Sequence, residues 1–195
     1  MSDNVDAEEH LIPTDKPERS ELIRVPSLVL VNTGNGKGKS TAAFGTMLRA
    51  VALEWRVAVV QFLKSGDWNT GEEKVARQLG VEWFAAGDGF TWDSDDLDES
   101  AAKARAAWTF AKNVIESGDF KLVLMDEISY AMSWGWIDEG EVVATITGRP
   151  EHVNLILTGR DMSQGVVDVA HTVTEMKPVK HAFDEGIVAK KGIDY

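Results

Sequence analysis

The chain has 195 residues, enough for one ordinary domain with a buried core. Its 44% apolar and 27% charged residues suit a soluble globular protein, and it has neither a membrane-spanning apolar run of roughly 18 residues nor a cysteine for disulfides, zinc–thiolate sites or thiol nucleophiles. A net charge of −12, with no basic run longer than Lys190-Lys191, argues against nucleic acid as a general partner, although a local pocket with its own donors can still hold an anion.

Residues 1–26 are polar and acidic, and Pro13, Pro17 and Pro26 interrupt any long helix. A disordered tail is expected over residues 1–15, with a short helix over 16–24 that forms on docking. The folded domain is expected to span 27–195. No basic flank precedes an apolar stretch at the N-terminus, so a cytoplasmic location is expected rather than secretion.

Residues 28–31, Leu-Val-Leu-Val, read as a strand buried on both faces. After a Gly-rich turn, Phe44, Met47, Leu48 and Val51 fall on one helical face. Further strands are expected at 57–62, 81–84, 122–125, 155–157 and 173–176. Helices are expected at 72–79, 95–116 and 141–147. Acids crowd the start of the 95–116 helix, where the dipole favours them. Strands alternating with helices imply an α/β fold: a mostly parallel central sheet with helices on both faces. Ligands of such sheets bind at the carboxyl ends of the strands.

The turn after the first strand reads Thr-Gly-Asn-Gly-Lys-Gly-Lys-Ser-Thr over residues 33–41. Glycines let backbone N–H groups converge on phosphate oxygens, and the helix starting near Lys39 adds its positive end. In such a loop Lys39 neutralises the β- and γ-phosphates and the Ser40 hydroxyl ligates Mg²⁺. The usual spacing places glycine at position 33; here Thr33 stands there and Gly34 comes one place late. The domain is therefore expected to be P-loop NTPase-like (RecA-like), with a loop that holds the phosphate chain in its own way.

The strand at 122–125 runs into Asp126-Glu127, which reads as the second half of a nucleotide site. One carboxylate would hold Mg²⁺ directly or through water. An ATPase and a transferase are equally open at this point. Residues 85–98 contain Phe90 and Trp92, which share one side of an extended segment. They either tuck into the core or line a broad flat ligand.

The chain resembles the P-loop type of ATP:corrinoid adenosyltransferase, the cob(I)yrinic acid a,c-diamide adenosyltransferase family. The matching blocks are residues 34–45 (Gly-Asn-Gly-Lys-Gly-Lys-Ser-Thr-Ala-Ala-Phe-Gly), 60–64 (Val-Gln-Phe-Leu-Lys), 89–92, Asp126-Glu127, 157–160 (Leu-Thr-Gly-Arg), 178–186 and 192–195. The resemblance implies that cobalt(I) attacks the ribose 5′ carbon of ATP and inorganic triphosphate leaves. It implies a loop that grips the phosphates in the reverse sense from hydrolases, in keeping with the late glycine. It assigns ATP binding to Asn35, Gly36, Lys37, Gly38, Lys39, Ser40 and Thr41, and Mg²⁺ (or Mn²⁺) to Ser40 and Glu127. Phe90 and Trp92 match aromatics that crowd the lower face of cobalt, expel its lower ligand and ease reduction of Co(II). Phe90, Trp92 and Lys39 are thus the candidate catalytic residues. The resemblance also implies a homodimer, an electron donor such as a flavoprotein, and a place in cobalamin biosynthesis or salvage. Cobalt(I) is itself the nucleophile, so the chemistry needs no serine, cysteine or general base.

Several other residues have competing readings. His181 reads as structural. Arg160 either reaches phosphate or makes a surface salt bridge. Trp134 and Trp136 line the corrin cavity or pack in a core or dimer contact. Asp93, Asp95, Asp96, Asp98 and Glu99 read as a solvated helix start. An ATP-driven motor or regulatory module accounts for the loop and acidic pair but not for Phe90, Trp92 or the C-terminal block. A non-catalytic carrier of the same fold would need the loop to bind without turnover.

Overall fold

The computed structural model describes residues 22–65, 71–87 and 97–194. Six parallel strands form one sheet in the order β3-β2-β4-β5-β1-β6. They are β1 (Val29–Thr33), β2 (Val57–Ser65), β3 (Glu82–Gly87), β4 (Leu122–Asp126), β5 (Asn154–Thr158) and β6 (Thr172–Glu175). The helices are α1 (Lys39–Val51), α2 (Gly71–Gln78), α3 (Leu97–Ser117), α4 (Ile128–Ser133), α5 (Glu139–Gly148) and α6 (Gln164–Val169). The expected α/β architecture is therefore present, with helices on both faces. Each strand-to-strand connection is a crossover, which parallel pairing requires.

The two faces carry separate cores. α1 and α2 pack Phe44, Met47 and Ala76 against Val59, Trp83, Leu124 and Ile156. α3 to α6 pack Trp108, Ile115, Ile128, Ile146 and Val166 against Val31, Val60, Met125 and Leu157. Alternate residues of one strand thus point to opposite cores, as the pleat demands. α3 approaches the sheet closely because Ala104, Ala107 and Ala111 line its buried face.

Some expectations shift. The buried stripe of α1 is Ala43, Phe44, Met47 and Ala50, whereas Leu48 is 47% exposed. The two alanines let the helix sit close to the sheet, and that rotates Leu48 outward. The helix expected at 95–116 is seen from Leu97; residues 95 and 96 lie outside the described residues. β6 is exposed along its whole length, unlike the buried strands that precede it. It is an edge strand and pairs with β1 alone. α4 and α6 were not expected; each is a six-residue helix, too short to show a period. Residues 1–21, with the expected tail and most of the short helix expected at 16–24, lie outside the described residues, and residues 22–24 are not helical.

Candidate functional site

β1 ends at Thr33, and the chain turns through five residues into α1. Gly34 has φ +90° and Gly38 φ +112°, a region where side chains are strained. A Cβ at Gly34 would lie 2.6 Å from the Met176 carbonyl oxygen. The Gly36 N–H donates to that same oxygen at 2.6 Å, and the Met176 N–H donates to the Thr33 carbonyl at 2.8 Å. The loop therefore lies directly on the backbone that continues β6. That contact gives the late glycine a physical reason: position 34 is where two backbones touch. It also engages the Gly36 N–H within the protein. Gly34→Ala is expected to lower stability by about 1–3 kcal/mol, by overpacking and by strain. Thermal unfolding monitored by circular dichroism checks this.

α1 begins at Lys39 behind Gly38, with no side-chain cap and no acid in its first turn. The N–H groups of Lys39, Ser40 and Thr41 have no acceptor within the helix, and the positive end of the dipole faces the loop. Such an end favours an anion. Asn32 Nδ2 donates to the Lys39 carbonyl at 3.1 Å and ties the helix start to β1. Lys39 Nζ donates to the Gly36 carbonyl at 2.7 Å. Burial pushes the Lys39 ammonium below the ordinary lysine range, and the Arg160 charge adds to this; Glu127 and Asp126 oppose it.

β4 delivers the acidic pair beside the loop, but its two members differ. Asp126 is fully buried. Its Oδ2 accepts from Gln61 Nε2 at 3.1 Å and its Oδ1 from the Thr158 hydroxyl at 2.7 Å. Trp83 Nε1 donates to Gln61 Oε1 at 3.2 Å. Glu127 adopts the left-handed conformation, φ 64°, as the N-cap of α4. Its N–H donates to Thr158 Oγ1 at 3.0 Å. Glu127 acts on the charges of both Lys39 and Tyr130, so it belongs to the loop's side of the site. After β5, Gly159 has φ +144°, and a Cβ there would collide with Ser129 Oγ. Arg160 follows, exposed and forming no ion pair among the described residues.

The C-terminal segment closes over the loop. Asp194 pairs with Lys37 at 2.6 Å and accepts the Lys190 N–H at 2.7 Å. The Lys190 N–H, with Lys37 second, holds the Asp194 carboxyl below the usual carboxylate range. Lys37, which the resemblance assigns to ATP, faces this carboxylate in the structure. A cavity of about 710 Å³ lies between loop and tail, lined by Asn35, Lys37, Arg160, His181, Phe183 and Lys190 among others. His181 Nδ1 accepts the Phe183 N–H at 3.1 Å, a structural role as expected. Tyr130, Trp134 and Trp136 form an aromatic ladder with ring centroids 5.6 and 4.7 Å apart. Burial raises the Tyr130 hydroxyl's pKa, while the charge of Arg160 opposes this. The ladder thus starts beside the acidic pair, and Trp134, its middle member, is 40% exposed.

Asn35, Gly36, Lys37, Gly38, Lys39, Ser40, Thr41 and Glu127 therefore gather at the carboxyl ends of β1 and β4. Phe90 and Trp92 lie outside the described residues. Sequence reasoning did not single out Gln61, Thr158, Tyr130 or Asp194. Gln61 had a signal, as one polar residue inside an apolar strand. Thr158 and Asp194 had none beyond their place in the matching blocks.

A family model described as "ATP:corrinoid adenosyltransferase BtuR/CobO/CobP" matches residues 26–195. The chain belongs to this family. It is 42% identical to the corrinoid adenosyltransferase of Escherichia coli over 168 residues, covering 86% of this chain and 85% of that protein. It is 41% identical to the corrinoid adenosyltransferase CobA of Salmonella typhimurium, with the same coverage. Against the Pseudomonas aeruginosa corrinoid adenosyltransferase the figures are 42%, with 86% of this chain and 83% of that protein covered. The fold is similar to a KaiC-like protein of Pyrococcus horikoshii, with TM-score 0.50, 15% identity, and 87% and 76% of the two chains covered. The RecA-like expectation for the fold stands on that likeness and on the sheet.

Proposed function

We propose that this chain transfers the 5′-deoxyadenosyl group of ATP to the cobalt(I) of a corrinoid and releases triphosphate, within cobalamin biosynthesis or salvage. The observation that carries this reading is the family match across residues 26–195, which takes in loop, acidic pair and closing tail together. Cobalt attacks C5′ with its electron pair, the C5′–O bond breaks, and that bond's electrons leave on the triphosphate. The cobalt of the substrate ends two electrons more oxidised and alkylated. The chain itself has to position, neutralise and exclude water.

The first-turn N–H groups of Lys39, Ser40 and Thr41 receive phosphate oxygens, and Asn35, Gly36, Lys37 and Gly38 shape the loop around them. Lys39 offsets the charge of the leaving group. Lys37 does so once the triphosphate competes with Asp194 for it. Arg160, at the cavity wall, is available to the same anion. Ser40, at the start of α1, and Glu127, after β4, would supply hard oxygen donors, which suits Mg²⁺ or Mn²⁺ completed by phosphate and water. Such a cation, when bound, lowers the charge of the triphosphate. Phe90 and Trp92 are assigned to the lower face of the corrin, where they exclude water and favour four-coordinate cobalt. A homodimer and an electron donor such as a flavoprotein complete the proposal.

Anaerobic incubation with ATP, Mg²⁺ and a reduced corrinoid tests it. Triphosphate and a light-sensitive cobalt–carbon product are expected. ADP and phosphate without alkylated corrinoid would replace this reading with an ATPase, and tight binding without product would replace it with a carrier. In a parallel assay started from a Co(II) corrinoid with an electron donor, Trp92→Ala should impair Co(II) reduction more than ATP binding. Equal loss of both would move Trp92 to the core.

A further inference from the structure

Glu127 is a non-glycine residue in the left-handed region, at the point where β4 gives way to α4. Such a conformation persists where its surroundings hold it. Its N–H donates to Thr158 Oγ1 at 3.0 Å. Thr158 is fully buried at the end of the neighbouring strand. Its hydroxyl proton is committed to Asp126 Oδ1 at 2.7 Å, which turns a lone pair toward Glu127. Asp126 is in turn fixed by Gln61, and Gln61 by Trp83. The bonds have one consistent direction, from the Trp83 indole to Asp126 on one side and from the Glu127 N–H through Thr158 to Asp126 on the other. The relay reaches the site through the backbone of Glu127, and the charge of Asp126 also acts on Lys39.

We propose that Thr158 is a positioning residue: its hydroxyl, oriented by buried Asp126, holds the Glu127 backbone in the left-handed conformation that aims the Glu127 carboxylate at the divalent cation of the nucleotide site. This rests on the reading of Glu127 as a cation ligand given above. It also divides the acidic pair into an aiming member, Asp126, and a ligating member, Glu127. The donor set supports the division, because both Asp126 oxygens already accept protein hydrogen bonds.

The test uses the full chain with Mn²⁺ followed by electron paramagnetic resonance, in the presence of the β,γ-imido analogue of ATP. Thr158→Val keeps the shape and removes the hydroxyl. It is expected to weaken Mn²⁺ binding by about tenfold or more, with affinity for the analogue in EDTA unchanged. Thr158→Ser, which restores the hydroxyl, should return Mn²⁺ affinity to that of the parent chain. Unchanged Mn²⁺ affinity in Thr158→Val overturns the proposal. So does a Thr158→Ser variant as defective as Thr158→Val, because the side chain then acts by packing. If Thr158→Val does not fold, Thr158→Cys, a weak acceptor of similar size, carries the same comparison. Glu127→Gln separates the two levels. If it binds Mn²⁺ as the parent does, the reading of Glu127 fails and takes this proposal with it. If it loses Mn²⁺ while Thr158→Val does not, only the positioning role fails.

Discussion

Lys39→Ala is expected to lower kcat/KM for adenosyl transfer by about 10²–10³-fold, or roughly 2.7–4 kcal/mol of barrier, the range for removing one preorganised donor from developing charge. The triphosphate gains negative charge as the C5′–O bond breaks, and on the proposed function Lys39, at the start of α1, offsets that charge. Burial and the Arg160 charge already hold its ammonium below the ordinary lysine range. Two results follow from that direction. First, burial and the Arg160 charge disfavour the charged form, so binding of triphosphate weakens as pH rises through the lowered pKa. The alkaline limb of kcat/KM should therefore fall earlier than an ordinary lysine would allow, and should vanish in Lys39→Met. Second, between the lowered folded pKa and the unfolded pKa the unfolded chain holds more protons, so this group makes stability rise with pH there. At neutral pH the charged side chain is a cost to the fold. Lys39→Met should accordingly melt no lower than the parent while losing activity. Steady-state kinetics across pH, with scanning calorimetry on both variants, decide the matter. A variant that loses both stability and activity would make Lys39 structural.

The strands were legible because a parallel sheet buries both faces and leaves continuous apolar runs, such as residues 122–125. The edge strand β6 was legible for a different reason, since Val173 alternates with threonines. The loop was legible through its glycines and Lys39-Ser40, but the meaning of Gly34 was not. That meaning lies in Met176, 142 positions along the chain, whose carbonyl occupies the space a side chain would need. The same holds for Thr158, which acts on Glu127 across a strand pair. Asp194 also reaches Lys37 only after the whole fold has formed. Local pattern reports periodicity and turn chemistry; it does not report which distant carbonyl or carboxylate arrives. α1 marks the same limit inside one helix. Its apolar period was visible, yet the close fit of Ala43 and Ala50 chose which edge of the stripe went inward.

Asp126 and Glu127 stand next to each other, and their substitutions should fail in opposite ways. Asp126→Asn is expected to lower stability by about 1–3 kcal/mol, the cost of one unmatched buried donor. Asparagine has a single acceptor oxygen. If that oxygen faces Gln61 Nε2, its NH₂ faces Thr158, and the Thr158 hydroxyl loses its acceptor. If it faces Thr158, two amide NH₂ groups meet, and turning Gln61 over would break its bond from Trp83. Neither arrangement satisfies every group, and none of these side chains reaches water: Gln61, Asp126 and Thr158 are all at most 2% exposed. Glu127→Gln changes no bond of this relay, since Glu127 enters it through its backbone. It should melt like the parent and lose about 100-fold in adenosyl transfer, because a neutral amide is a poor donor to a hard cation and leaves the triphosphate charge unbalanced. Thermal melts and single-turnover rates on both variants check the contrast. An Asp126→Asn protein with parental stability would mean that the relay is not held as tightly as its four hydrogen bonds require. A Glu127→Gln protein that unfolds early would place Glu127 among the groups that hold β4 to α4.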